Sequence, residues 1–352
     1  MSIEIIEQEF TEYHDVSVAP SKGNLSRNID PDQVEFQFDE LYNNDAYYPE
    51  NTVTLREPYI VRDLRGQTIV FTPFQYNPVD KKLRVYHTIK VRVYSDGTGQ
   101  INTLNRFGQL NSIDNEYKNI YEKHFLNFNN ETRFDYLVDQ GNMLIISFGD
   151  FMDEMQPLVD WKNKKGIPTE IVGVNEIGNS VTQIQEYVAN YYYENNLSYL
   201  LLVGDVAQIP TPIINGASSD PSYGFIEGDD SFAKIIVGRF SANNPGELQT
   251  QIDRSLNYEQ NPSEVDHFDN ALGIASNQGP GYGGLSDDDF NDLLWNDFLS
   301  QYTYDSYEGI YDPNGSVSQG VNVINEGVGI INYTGHSGPT GWGNGAPLSV
   351  SD

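Results

Sequence analysis

The hydrophobic rhythm of the chain changes twice. Residues 1 to about 50 read as acidic and irregular, with turn-rich patches at Pro20-Ser21-Lys22-Gly23-Asn24 and Asn43-Asn44-Asp45. From Val53 onward apolar and polar positions alternate. Strands are predicted over 67–74, 83–87 and 88–94, with a turn at Asn77-Pro78-Val79-Asp80. Residues 106–141 form a polar connector dotted with aromatics. Beyond it come short continuous apolar runs, the mark of strands buried on both faces, separated by stretches of helical period.

The first of these runs is 143–148. A helix follows with Met155, Leu158 and Val159 on one face, and Gly166 is its expected stop. Strands at 169–174, 199–203 and 234–237 alternate with helices marked by Ile184, Tyr187, Val188 and Tyr191, and by Leu248, Ile252 and Leu256. A second unit of the same kind begins at 271–275. It continues through a helix with Phe290, Leu293, Leu294 and Phe298 and reaches a strand at 328–332. The alternation predicts α/β layers with a mostly parallel sheet, preceded by an all-β block.

Composition narrows the reading. The chain has 352 residues, 38% of them hydrophobic and 12% aromatic, which suits folded domains with real cores. A net charge of −31 argues against nucleic-acid backbones and anionic membranes as partners; it draws cations, either basic substrates or calcium, and its plainer reading is solubility in a salty or extracellular setting. With no cysteine there are no disulfides and no cysteine-ligated zinc. No apolar stretch approaches the roughly 18 residues of a membrane span, and the opening Met1-Ser2-Ile3 runs straight into acidic sequence with no signal peptide.

Ligands of open α/β sheets sit outside the carboxyl ends of the strands. Gly204-Asp205, Ser276-Asn277-Gln278-Gly279 and Gly335-His336-Ser337 all hold that position in the predicted pattern. His336 lies on a glycine-rich turn directly after an apolar run, where an imidazole can serve as a base near neutral pH. Its natural partner, a nucleophilic thiol, is not among residues 1–352.

The same residues carry a family resemblance. The stretches are Arg56-Glu57-Pro58-Tyr59-Ile60 through Arg65-Gly66-Gln67, Pro73-Phe74-Gln75-Tyr76-Asn77-Pro78, Val159-Asp160-Trp161-Lys162-Asn163, Leu201-Leu202-Val203-Gly204-Asp205, Val237-Gly238-Arg239-Phe240-Ser241, Thr250-Gln251-Ile252-Asp253-Arg254, and the run from Asn332 to Trp342. In this order they resemble the gingipain-type cysteine peptidases with their N-terminal prosegment. The resemblance implies a β-rich prosegment over 1–133 and a caspase-like α/β catalytic domain that is incomplete here. Its first subdomain would cover 134–268 and its second 269–352.

It further implies that His336 is the catalytic histidine and that the backbone N–H of Ser337 forms part of the oxyanion hole. The nucleophilic cysteine is expected beyond Asp352. Gln278 stands where the family has a glutamate; it is otherwise a polar turn residue. Asp287 matches the acid at the base of an arginine pocket, although Asp287-Asp288-Asp289 also reads as the acidic first turn of a helix. Glu227, Asp230 and Phe232 match a calcium-binding loop, with Lys234 where a further acidic ligand would be; the alternative is a solvated acidic turn. Arg133-Phe134 is the expected processing point. Implied partners are proteins or peptides with basic residues and the chain's own C-terminal catalytic portion. Implied localisation is secreted or cell-surface, through type IX secretion. The reaction expected is hydrolysis after Arg through a thioester. Two alternatives are a sortase-like transpeptidase and an inactive pseudo-peptidase or binding module.

Overall fold

The computed structural model describes residues 1–25, 29–104, 112–128, 137–262, 266–338 and 340–352. They form two compact units. One comprises Met1–Val18 with Glu40–Pro262, the other Ala19–Asp39 with Ser263–Asp352. The N-terminal strands therefore group with the first α/β sheet.

In the first unit, β1 (Ser2–Tyr13) is a twelve-residue strand where the sequence suggested irregular chain. The hairpin of β2 (Val53–Val61) and β3 (Leu64–Phe71) follows, then β4 (Phe74–Asn77) and β5 (Lys82–Tyr94). The order β1-β5-β4 is antiparallel throughout. Cross-strand charge explains β1: Glu4 lies opposite Arg92 and Glu12 opposite Arg84, each pair at 3.0 Å, and Glu7 lies opposite Lys90. The acidic residues that hid this strand are the ones that fix its register.

The connector holds β6 (Ser112–Asp114) and α1 (Asn115–His124), with β7 (Leu137–Asp139) pairing parallel to β6. The Asp114 carboxylate caps α1 by accepting from the N–H groups of Glu116 and Tyr117. One turn apart on its buried face, Tyr117 and Tyr121 pack with Val61 and Ile113.

Next come β8 (Asn142–Ser147), α2 (Gln156–Lys164), β9 (Thr169–Gly173), α3 (Val174–Ile177), α4 (Val181–Asn195) and β10 (Leu197–Val203). A small hairpin of β11 (Ile213–Ile214) and β12 (Ala217–Ser218) precedes β13 (Ile236–Phe240) and α5 (Pro245–Gln260). The parallel sheet runs β13-β10-β8-β9. Its alternate residues bury on opposite faces. Leu144, Ile146, Leu200 and Leu202 pack with Ile184, Val188 and Tyr192 of α4. Ile145 and Val203 pack with Leu158 and Val159 of α2 and Leu248 and Ile252 of α5. That two-sided burial is why these strands read as continuous apolar runs. Gly166, at φ 92°, ends α2 as expected: its N–H and that of Ile167 reach back to Asn163 O and Lys162 O.

The second unit has β14 (Asn270–Ala275), α6 (Asp287–Asp297), β15 (Ser306–Tyr311), α7 (Val317–Glu326) and β16 (Ile330–Thr334), then a hairpin of β17 (Ser337–Gly338) and β18 (Gly341–Trp342). The parallel order is β15-β14-β16. Leu272, Ile274 and Ile310 form its core with Val323 and Ile324 of α7. Gly273 admits the Tyr307 hydroxyl, which a Cβ there would meet at 2.0 Å. No helix among the described residues is long and apolar enough to cross a membrane.

Candidate active site

The three parallel strands of the second unit deliver the candidate residues from their carboxyl ends. β16 ends at Thr334 and the chain turns into His336; β14 ends at Ala275 and continues to Ser276 and Gln278. Parallel pairing sets Ala275 beside Thr334, which brings the two loops together although they are about 60 residues apart in sequence. His336 Nε2 lies 3.1 Å from Gln278 Oε1, and both side chains face solvent.

The loop carrying the histidine is held from three sides. The His336 N–H donates to Asn344 Oδ1 at 2.9 Å, and Gly343 N–H donates to His336 O at 2.8 Å. The Tyr333 hydroxyl also donates to His336 O. Tyr333 is stacked on Trp342 with ring centroids 4.7 Å apart. Asp312, just past β15, accepts from Asn344 Nδ2 at 2.7 Å and from Gly345 N–H at 2.8 Å. Asp312 thus fixes Asn344, which fixes His336. By sequence alone, Asp312-Pro313-Asn314-Gly315 has the composition of an ordinary turn. The available signal was an acid directly after the end of a strand, at the same sheet edge as His336.

Asp287 is 2% exposed. It is the first residue of α6, after the Ser286 cap, and its position is set by its N–H donating to Gln278 O at 2.9 Å. The Ser276 hydroxyl donates to Asp287 Oδ2 at 2.5 Å, while Ser276 Oγ accepts from Gln278 N–H at 3.1 Å. Behind it, Asn291 Nδ2 donates to Asp287 O at 2.9 Å and to Thr334 Oγ1 at 3.0 Å, and Asn332 Nδ2 donates to Asn291 Oδ1. The structure therefore joins His336, Gln278 and Asp287 through one polar network. Asp288, by contrast, accepts from Ser286 Oγ, and Asp289 N–H takes the cap, so the three carboxylates are not equivalent. Ser337 is exposed and opens β17 opposite Trp342.

The expected calcium loop is built otherwise. Asp230 Oδ1 accepts from Lys234 Nζ at 2.8 Å, and Phe232 O accepts from the same ammonium at 2.5 Å. Asp230 also accepts from the N–H groups of Ile60, at 2.7 Å, and Phe232, at 3.0 Å. Lys234 is fully buried and lies before β13 instead of within it. Two of the three expected ligands thus hold an ammonium, and a divalent cation between them would face that charge at contact distance; Glu227 lies in the same turn, half-buried. In this arrangement the residues do not fit calcium. Among the described residues no cluster of three His, Asp or Glu is placed to hold a metal. The processing pair Arg133-Phe134 lies outside the described residues.

Comparison with known proteins agrees with the resemblance read from the sequence. Residues 136–352 match the model of peptidase family C25, and residues 1–131 match that of the C25 propeptide. Gingipain R2 of Porphyromonas gingivalis is 37% identical over 352 residues, covering 97% of this chain and 47% of the relative. Gingipain R1 of the same organism is 36% identical, covering 97% and 35%. The chain thus spans half or less of the length of these relatives. Among solved structures, the Arg-specific cysteine proteinase gingipain R matches at 35% identity with a TM-score of 0.56, over 58% of this chain and 49% of that one. A complex of RgpB pro- and mature domains from Porphyromonas gingivalis matches at 34% with a TM-score of 0.57, over 60% and 51%. These matches cover nearly the whole chain in order: the chain belongs to peptidase family C25 and carries that family's propeptide followed by a caspase-like α/β peptidase region.

Proposed function

We propose that this chain is the precursor part of a secreted cysteine endopeptidase that cleaves peptide bonds after basic residues, arginine preferred. The observation that carries the reading is the His336–Gln278–Asp287 arrangement at the carboxyl ends of β14 and β16. With Nε2–H donating to Gln278 Oε1, the Nδ1 lone pair of His336 is the base. It takes the proton of a cysteine thiol that this reading places C-terminal to Asp352. The thiolate attacks the scissile carbonyl, the Ser337 N–H steadies the oxyanion, and the imidazolium returns its proton to the departing amine. Water then hydrolyses the thioester with the imidazole again as base. The buried Asp287 carboxylate pairs with the substrate guanidinium, a bidentate match of planar groups.

Gln278 gives the imidazole orientation without negative charge, so the imidazolium is stabilised less than beside a carboxylate. That favours a slower enzyme, and it supports an inactive relative as the second reading. Residues 1–131 act as the inhibitory and chaperoning prosegment, the catalytic portion being their partner. Export by type IX secretion and cleavage at Arg133-Phe134 complete the proposed life of the precursor. The decisive measurement is turnover of an arginyl peptide by the full-length protein, by its His336→Ala variant and after thiol alkylation. Activity that survives either treatment refutes a Cys–His mechanism; N-terminal sequencing of the exported protein checks the cleavage point.

A further inference from the structure

The turn between β2 and β3 consists of two residues, Arg62 and Asp63, since Val61 pairs with Leu64. Arg62 takes a left-handed φ of 45°, a conformation that favours glycine or asparagine over a long side chain. Its side chain is nevertheless 2% exposed. Nη1 donates to Leu197 O at 2.6 Å and to Lys234 O at 3.3 Å, and Nη2 donates to Asn196 Oδ1 at 2.7 Å. The guanidinium carbon lies 4.7 Å from the Tyr117 ring centre and 5.5 Å from that of Tyr192. Asp63, whose carboxylate is 3.6 Å from Nε, accepts from the Tyr121 hydroxyl and donates its N–H back to it.

Every oxygen that receives these guanidinium bonds belongs to the stretch matched by the peptidase model, while Arg62 belongs to the stretch matched by the propeptide model. Asn196 is the left-handed cap of α4 and Leu197 follows it, so the cation stands at the negative end of a fifteen-residue helix. That helix has no basic residue in its own last turn. A residue 134 positions away supplies the missing charge. A lysine could not span three acceptors in one plane, whereas the guanidinium fork does.

We propose that this seat at the end of α4 is a guanidinium-recognition site and that Arg62 is the anchor holding the prosegment to the first catalytic subdomain once the covalent link between them is cut. The anchor lies wholly within the first unit and uses none of the residues of the His336 network. It rests on the propeptide–peptidase division and not on the proposed chemistry, so its failure would leave the Cys–His reading untouched.

The test uses the full-length protein with a site for a sequence-specific protease inserted between residues 131 and 136. After cutting, association of the two pieces is measured by size exclusion over a dilution series. Nicked wild type should elute as one particle, and nicked Arg62→Met should release the prosegment with a Kd raised about 30-fold or more, the scale of a buried arginine hot spot. Arg62→Lys should fall between them. Asn196→Gly, which keeps the left-handed backbone and removes only the Oδ1 acceptor, should weaken association several-fold. Guanidinium or ethylguanidinium at about 10 mM should re-seat the pieces of an Arg62→Ala chain, because a vacated ion site of this kind is refilled by mass action; a purely steric plug would gain nothing. The proposal is overturned if nicked Arg62→Met holds together as tightly as wild type. It is equally overturned if Arg62→Lys and Asn196→Gly both leave the affinity unchanged. Should the arginine variants not fold, the Asn196→Gly result decides alone.

Discussion

Removing the Lys234 ammonium should turn a calcium-indifferent loop into one that needs a cation. Lys234 is fully buried, the Asp230 side chain is 8% exposed, and their charged atoms are 2.8 Å apart. Deleting one partner of such a pair leaves the other charge buried without compensation, at a cost of about 3 kcal/mol or more. Asp230 would keep only the N–H donors of Ile60 and Phe232. For a unit of about 240 residues this lowers Tm by roughly 6–12 °C. Lys234→Ala also opens room for an ion between Asp230 Oδ1 and Phe232 O. If calcium enters with a Kd near 0.1 mM, typical of weak extracellular sites, 10 mM calcium returns about 2.7 kcal/mol. The assay is thermal melting of wild type and Lys234→Ala in chelator and in 10 mM calcium. The expected pattern is no calcium effect from this loop in wild type, a large drop for the variant in chelator, and recovery of most of it in calcium. A variant that melts like wild type in chelator refutes the reasoning. So does a calcium gain in wild type that Asp230→Asn abolishes, since the ion would then share the loop with the ammonium.

Glu259 gives a pH prediction: burial alone would raise its carboxyl, but hydrogen bonds from Lys162, Trp161 and Lys165 outweigh it and hold the group down to about 2. A lowered folded-state pKa stabilises above the unfolded value of 4.5 and is lost as pH falls towards 2. Because the carboxylate is only partly buried and still screened by solvent, the contribution is about 1 kcal/mol, and Glu259→Gln should flatten the acid limb of a urea-stability profile by that amount; an unchanged limb would assign it elsewhere. Asp287→Asn in the full-length enzyme should lower kcat/KM for arginyl substrates about 100-fold or more, as expected when a buried charge loses its partner, and equal hydrolysis of arginyl peptides by this variant would remove Asp287 from the pocket. Gln278→Glu should raise kcat several-fold by placing a carboxylate where the amide now meets His336 Nε2, and a fall in kcat with intact folding would show that the neutral amide is required.

The α/β alternation, the position of His336 and the family were legible in the sequence because each depends on local pattern. Strands buried on both faces read as apolar runs, helices show their period, and the carboxyl-end rule places a glycine-flanked histidine at the sheet's edge. The β1 strand was not legible, since glutamates on both sides of its pleat look like solvated chain until Arg84, Lys90 and Arg92 of β5 lie opposite them. The roles of Lys234, Arg62 and Asp312 were also decided only in three dimensions. A lysine reads as a broken metal site until its ammonium is seen between Asp230 and Phe232. An arginine in a two-residue turn reads as surface until the end of α4 receives it. An aspartate before a proline reads as a turn until Asn344 connects it to His336. Local sequence fixes backbone period and burial, while the partner of a charge depends on which distant segments the fold brings within 3 Å, and no pattern along the chain encodes that distance.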